Sequence, residues 1–392
     1  MERKNDILIP PTTRWLADPN AQLVCRAIAA GGHQVLFVGG CVRNALFGLP
    51  DSDVDLSTDA HPDQVTALAE QAGLKVVPTG IDHGTVTIVA GGKPFEVTTF
   101  RRDVATDGRR AVVAFSNDIT DDARRRDFTM NALYAAPDGQ LIDPLGGLPD
   151  LIARRVRFIE DAEMRIREDY LRILRFFRFA AWYGNLDEGF DADAMSAIAT
   201  NLDGLETLSG ERVGQEMRKL LAAPDPAPAI AAMRSTGVLH SVLPGADDRW
   251  IAPIVHFETL LDLSPDWICR LAALGGSEVP YRLRLSKAES RNFDLLRDIA
   301  YGPMPLSEIA YRHGKSIAQS TVLLRSALAE TPPDAADLDS ITTANNARFP
   351  VTAADLMPEY EGPALGQRLA YLEQLWIDSM FELKKDALLN HG

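Results

Sequence analysis

Asp53 and Asp55 stand one residue apart in the stretch DSDVDLST, and on an extended strand alternate residues share a face. The spacing therefore predicts two carboxylates pointing the same way, repelling one another until a bound cation relieves them. Upstream, Gly39 and Gly40 end the apolar run Val35 to Val38, and Val42, Ala45, Leu46 and Leu49 then recur at helical spacing. That reads as strand, glycine turn, helix, which presents backbone N–H groups and Arg43 at a helix N-terminus, where an anion, above all phosphate, is favoured. The turn matches neither the dinucleotide G-x-G-x-x-G pattern nor the P-loop. Asp51, Asp53 and Asp55 have the opening spacing of a calcium-binding EF-hand, but Leu56 stands where that loop needs Gly and Pro62 where it needs Glu. A phosphate-binding turn followed by a divalent-metal carboxylate pair is the equipment for phosphoryl or nucleotidyl transfer.

A second constellation lies further on. Asp169, Arg172, Arg175 and Arg178 recur in steps of three, among Ile166, Leu171, Leu174, Phe177 and Ala181 at helical spacing. The steps predict one polar side of a helix, with Phe176, Phe177 and Phe179 packing the others. Its plainer reading is an ion-paired face, Asp169 with Arg172. Between the two constellations runs Arg124-Arg125-Arg126-Asp127, followed by a helical stripe of Phe128, Met130 and Leu133. A charge run alone is ordinarily a solvated face.

GGCVRN followed by DVD resembles the head of the class II transfer RNA nucleotidyltransferase and bacterial poly(A) polymerase family, within the DNA polymerase beta superfamily. Further matches follow in order: HGTV at His83 to Val86, FEVTTFR at Phe95 to Arg101, RRRDFTMNAL at Arg124 to Leu133, EDYLRILRFFRFAA at Glu168 to Ala181 and GERVGQEM at Gly210 to Met217. The resemblance covers roughly residues 35 to 220. It implies an RNA 3′-nucleotidyltransferase using two magnesium ions. In it, Asp53, Asp55 and Glu96 form the catalytic centre, with the metal on Asp53 and Asp55. Arg126 contacts the triphosphate with Gly39, Gly40 and Arg43, Asp127 holds an arginine or the ribose, and Arg175 and Arg178 add charge at the base or phosphates. The polar stretch Arg102 to Asp122 is similar to the family's mobile loop.

Cytosine and adenine each present an amino donor beside a ring-nitrogen acceptor, whereas uracil and guanine present a carbonyl beside a ring N–H. A carboxylate next to a guanidinium, Asp169 with Arg172, complements the first pair and opposes the second. Together with HGTV, this favours an enzyme adding CCA from CTP and ATP to the 3′ end of tRNA. The alternatives are a poly(A) polymerase, or an enzyme adding only CC or only A. One departure stands out: the family usually has Asp after the motif's Arg, and here Asn44 keeps an acceptor but loses a charge.

The elements that must position these residues are those of an α+β chain. A polymerase beta-like nucleotidyltransferase head (1–150) is followed by a helical neck that reads the base (151–225), a helical body (226–330) and a helical tail contacting tRNA (331–392). In the head, helices are expected over Ala21 to Ala30 and Pro62 to Ala72, the latter capped by Thr58 or Asp59, and a hairpin over Thr85 to Val89 and Phe95 to Phe100. If that hairpin continues the Asp53–Asp55 sheet, Glu96 reaches the carboxylate pair. The 392 residues are 46% hydrophobic with a net charge of −15, which argues against a general nucleic-acid coat. Arg101 to Arg178 holds 15 Arg against 14 acids, so the acidity lies elsewhere, and weak, salt-sensitive RNA contact is expected. There is no apolar run of about 18 residues and no signal-like start, so a cytoplasmic protein is expected. Cys25, Cys41 and Cys269 have no C-x-x-C spacing and indicate neither disulfides nor zinc.

Overall fold

A computed structural model describes residues 7–50, 52–78, 80–81, 84–107 and 110–391. The chain divides into two compact units, Met1–Ser209 with Ser235–Ser241, and Gly210–Arg234 with Val242–Gly392.

The first unit is the α+β part. Its opening elements are α1 (Arg14–Ala17), α2 (Pro19–Ala29), β1 (Val35–Val38), α3 (Gly40–Phe47), β2 (Asp55–Thr58), α4 (Pro62–Gln71) and β3 (Lys75–Val77). Then come β4 (Thr85–Ala90), β5 (Lys93–Thr99), β6 (Arg101–Asp107), β7 (Arg110–Phe115), α5 (Ile119–Arg124), β8 (Tyr134–Ala135) and β9 (Leu141–Ile142). The helices α6 (Leu148–Ile152), α7 (Ala162–Glu168), α8 (Leu171–Tyr183) and α9 (Ala192–Ala199) complete it. Among the described residues the main sheet runs β3-β4-β5-β2-β1-β8-β9, with β6 and β7 as a separate ribbon. Every pairing in the main sheet is antiparallel except β2 with β5. All four residues of β1 are buried, as a central strand covered on both faces requires. Gly91 and Gly92 take φ of 57° and 78°, the left-handed pair that closes a tight hairpin between β4 and β5.

Three local expectations are corrected. The strand carrying the carboxylates starts at Asp55, so Asp53 lies ahead of it and strand alternation does not place it. Helix α4 is capped by His61 in a capping box with Gln64; Thr58 instead bonds the Gln34 carbonyl, and Asp59 takes the Gln34 N–H. Phe128 to Leu133 is no helix but a short 3-10 turn at Thr129–Asn131. Its side chains are buried on every side, Thr129 N–H is taken by the Arg157 carbonyl, and a Cβ on Gly147 would lie 2.3 Å from the Thr129 carbonyl oxygen. Tertiary packing has consumed the bonds a helix would have used.

From Leu171 to Ala180, helix α8 is buried except at Arg172, Arg175 and Arg178. Phe176 and Phe179 stack into a cluster with Phe128 and Phe158, at ring separations of 5.0–6.3 Å. Burying such rings, roughly 1.5–3 kcal/mol each, fixes the helix and so the arginine stripe.

Among the described residues, every regular element of the second unit is a helix. In its Gly210–Leu221 helix, a Cβ on Gly214 would stand 2.0 Å from the Leu283 carbonyl oxygen, so the second glycine of GERVGQEM is required by close approach. Arg270 is fully buried, paired with Glu258 and donating to the carbonyls of Leu221, Ala223 and Pro224. The end of the chain packs Leu372, Trp376, Ile377 and Leu388 into one apolar cluster.

Candidate active site

The parallel pairing of β2 with β5 sets Asp55 directly opposite Glu96, so both carboxylates stand on one face of the sheet. Desolvation by the surrounding protein and the neighbouring charges of Glu96 and Asp53 push the carboxyl of the exposed Asp55 up to about 6, against the pull of Arg126. Among the described residues no three His, Cys, Asp or Glu side chains converge tightly enough to hold a metal ion by themselves. The carboxylates are hard oxygen donors crowded beyond what their own ionisation favours, and this suits a divalent cation completed by other oxygen ligands.

Ser57 shares the face of Asp55, and from it the site builds outward. The Ser57 hydroxyl lies 3.4 Å from both Asp122 Oδ2 and Arg126 Nη2. Asp122 is fully buried and accepts from Arg125 Nε (2.7 Å), Arg126 Nη2 (2.9 Å) and the Tyr134 hydroxyl (2.8 Å). Burial opposes its ionisation, but Arg126 and Arg125 beside it hold the carboxyl well below the usual range. Arg126 also donates from Nε to the Tyr134 hydroxyl, 3.1 Å away, and lies over that ring. Its Nη1 would be 3.7 Å from a Cβ on Gly39, so the guanidinium sits against the glycine turn. Gly39 holds φ 76°, ψ −125°, open only to glycine, and a Cβ on Gly40 would meet Ser52 Oγ at 2.7 Å.

A second network is buried. Arg43, 6% exposed, donates to Asn131 Oδ1 (2.6 Å), to Asn44 Oδ1 (3.0 and 3.2 Å) and to the Tyr183 hydroxyl (2.9 Å), and lies over the Tyr183 ring. Asn131 passes the chain on, its Nδ2 donating to Asp127 Oδ1 at 2.9 Å. Asp127 Oδ2 accepts from Arg175 Nε at 2.7 Å. Burial works against the Asp127 carboxylate, yet Arg175 and Asn131 bring it down to about 2. Three sequence motifs, far apart in the chain, are thus hydrogen-bonded in series. Asn44 uses both ends of its amide, since Nδ2 also donates to the Pro50 carbonyl at 2.8 Å. An Asp there would have no hydrogen for that carbonyl.

Asp169 is not on α8. It caps α7 with extended backbone, φ −155°, ψ 104°, so the expected step of three to Arg172 along one helix does not apply to it. Arg172 pairs with Glu168 at 2.6 Å and donates to the carbonyls of Arg165 (2.8 Å) and Arg125 (3.0 Å). Arg178 lies over the Phe179 ring, 4.6 Å from its centre.

Residues 35–157 match the family described as the poly A polymerase head domain, and residues 190–249 match one described as the probable RNA and SrmB-binding site of polymerase A. The chain is 32% identical over 381 residues to the mitochondrial CCA tRNA nucleotidyltransferase 1 of Danio rerio, covering 91% of this chain and 86% of that protein. It is 35% identical over 322 residues to the CCA-adding enzyme of Geobacillus thermodenitrificans, covering 79% and 78%. The chain belongs to the CCA tRNA nucleotidyltransferase family. The crystal structure of the Bacillus stearothermophilus CCA-adding enzyme in complex with CTP superimposes with a TM-score of 0.73 at 27% identity, over 97% of this chain and 96% of that one.

Within this family member, the sequence reading and the fold agree on the meeting of Asp55 with Glu96 and of Asp127 with an arginine, which is Arg175. Arg43, expected at the triphosphate, has its guanidinium hydrogen-bonded by Asn44, Asn131 and Tyr183. His83 of HGTV lies outside the described residues. Asp122, Asn131, Tyr183 and Ser57 were not singled out from sequence. Asp122 had a local signal, standing three and four residues before Arg125 and Arg126 on a short helix. Tyr183, 140 residues from Arg43, had none.

Proposed function

We propose that Asp53, Asp55 and Glu96 serve a nucleotidyl transfer in which this chain, a CCA tRNA nucleotidyltransferase, extends the 3′ end of tRNA with C and A drawn from CTP and ATP. The observation that carries the reading is one face of one sheet: Asp55 opposite Glu96, with Arg126 alongside and against the Gly39 turn. Enzymes of this family depend on a divalent metal. Asp53 and Asp55 would hold it, magnesium being favoured by hard oxygen donors and substrate phosphates; when bound it supplies Lewis acidity at the phosphates and lowers the pKa of the attacking 3′-hydroxyl.

The chain's own residues do the positioning. Backbone N–H groups at Gly39 and Gly40 and the guanidinium of Arg126 receive the triphosphate, and Asp122 keeps that guanidinium aimed. Arg43 contributes its charge from the first turn of α3, where its direct hydrogen-bond partners are neutral. Arg175, oriented by Asp127, and Arg178 line the nucleotide side of α8. Arg172 spends three of its five N–H donors on Glu168 and two carbonyls, and in this reading the other two would meet a base edge together with the Asp169 carboxylate. A donor pair and an acceptor acting together would accept C and A and leave groups unpaired against U and G, a discrimination on the order of 10²–10⁴.

We carry forward the division into head (1–150), neck (151–225), body (226–330) and tail (331–392), with tRNA held by the helical parts. No described helix is long and apolar enough to cross a membrane. Incubating the protein with magnesium, tRNA lacking its 3′ end and each labelled nucleotide tests the function. Addition of C, C and A that then stops is expected. A growing run of A alone would favour a poly(A) polymerase.

A further inference from the structure

Asp169 sits in the break between α7 and α8, its Oδ1 accepting from Leu171 N–H at 3.1 Å and its carbonyl from Arg172 N–H at 2.9 Å, which ties it to the first turn of α8. Its side chain therefore follows the first turn of α8, and the residues on either side of it fix where that turn begins. Upstream, Glu168 is fixed by ion pairs to both Arg165 and Arg172. Downstream, Tyr170 opens α8, its carbonyl accepting from Ile173 N–H at 3.1 Å. A Cβ on Gly204 would fall 1.9, 2.0 and 2.2 Å from Cδ1, Cε1 and Cγ of Tyr170, so the ring lies directly against the Gly204 backbone. Gly204 is buried and has no left-handed φ, so glycine is needed there for space alone.

The segment bearing Gly204 grips both sides of the break. It is a 3-10 turn, Leu202–Thr207, closed by the Thr207 hydroxyl on the Gly204 carbonyl at 2.7 Å. Just before it, Asn201, 7% exposed, accepts from Arg167 Nε of α7 at 3.2 Å. From behind, Gly237 approaches so closely that its Cβ would be 2.9 Å from Leu202 Cδ1. The turn is thus held to α7 through Asn201 and to the start of α8 through the Tyr170 ring.

We propose that Gly204 and Tyr170 are specificity-determining positioning residues, whose contact sets the conformation of Asp169 and through it the choice of base. This rests on Asp169 as the base-reading carboxylate. Both act through Asp169. A side chain at 204 displaces the ring, the ring turns the backbone that carries Asp169, and a displacement of about 1 Å at a reacting or reading group can change rates by about 10²-fold.

The test measures kcat/KM for single additions of CTP and UTP to tRNA lacking its 3′ end. In Gly204→Ala and in Tyr170→Ala the CTP/UTP ratio is expected to fall roughly ten- to a hundredfold. The double variant should fall no further, because both changes act through one contact. Tyr170→Phe keeps the ring and should keep the ratio. A merely structural role would lower the melting temperature and leave the ratio unchanged. Tyr170→Ala adds no clash, so an unchanged ratio in that folded protein overturns the inference even if Gly204→Ala fails to fold. Asp169→Ala is measured alongside. If it too leaves the ratio unchanged, the base-reading assignment falls and this inference with it; if it alone collapses the ratio, only the positioning role is lost.

Discussion

The carboxylate face around Asp55 and the buried series Arg43–Asn131–Asp127–Arg175 lie in the same unit, and they solve opposite problems. In the buried series every named group has a partner within 3.2 Å, and Asp127 is more acidic than a free carboxyl. On the open face Asp55 stands opposite another acid and beside a third, and is less acidic than a free carboxyl. On the proposed function the difference separates framework from reaction centre: polar groups that hold a fold satisfy one another, whereas groups that await a substrate or a cation are left with interactions unmade. Asp122 belongs to both, buried like the first set and pointing Arg126 at the second.

Removing a carboxylate from the open face tests the contrast most severely. Asp55→Asn or Asp53→Ala is expected to lower nucleotide incorporation by at least on the order of 10²–10³, the scale of losing one electrostatic group at a reacting centre. Stability in urea should stay level or rise, because mutual repulsion is relieved. Near-normal turnover with magnesium would break the assignment of that face.

Asp122→Ala should fail in the opposite manner. It leaves Arg125 and Arg126 without their buried counter-charge, and breaking such a pair costs about 3–5 kcal/mol, read as a lower urea midpoint. Incorporation should fall as well, since Arg126 loses its aim. A stable, active Asp122→Ala protein would place Arg126 outside the site.

The pH dependence of the metal-free protein sharpens the comparison further. Asp55 has its folded-state pKa raised from 3.8 to about 6, so between those values the folded state holds a proton that the unfolded state has released. Stability is therefore expected to fall as pH rises from about 4 to about 6, with the whole penalty present above that window. Magnesium should flatten the fall, and Asp55→Asn should abolish its share. Asp127, lowered to about 2, gives the reverse sign: its contribution is present above about pH 4 and is lost as pH falls toward 2. Thermal melts across pH, with and without magnesium, measure both.

Asn44→Asp is expected to do least. The new carboxylate would strengthen the bond to Arg43, while the Pro50 carbonyl loses its donor, so the opposing changes should cancel to within about 1 kcal/mol. Incorporation should stay within a fewfold of the parent. A tenfold fall would mean that the Asn44–Pro50 bond helps to place Asp53, joining framework and reaction centre at a second point.

How much of this was legible follows from the range of the interactions. The Val35–Val38 strand, the glycine turn and α3 came from local pattern, and so did the hairpin of β4 and β5, because hydrophobic periodicity and glycine chemistry act over a few residues. The stripe of Arg172, Arg175 and Arg178 was legible for the same reason, since the Phe residues between them leave the helix one face that can stay out of the core. The break at Asp169 was not, because the step-of-three pattern runs through it unchanged while the Asp169 side chain turns to cap Leu171 N–H and the Tyr170 ring lies on the distant Gly204 backbone. Likewise Phe128 to Leu133 carries a helical pattern but is recruited residue by residue into other networks.

The sequence by itself determined the inventory: which residues can carry charge to a phosphate or a cation, in what order, and in which kinds of element. The family's ordered motifs were sufficient for its class of chemistry. Only the tertiary structure decided which charges are spent and which remain to act. Arg43 and Arg126 look alike in the chain, each an arginine in a motif. Folding gives one neutral hydrogen-bond partners in the first turn of α3, and it sets the other against Gly39 with a buried Asp122 behind it. Burial and partner choice depend on residues brought together from distant parts of the chain, and a side chain's charge becomes chemistry only where the fold leaves it something to bind.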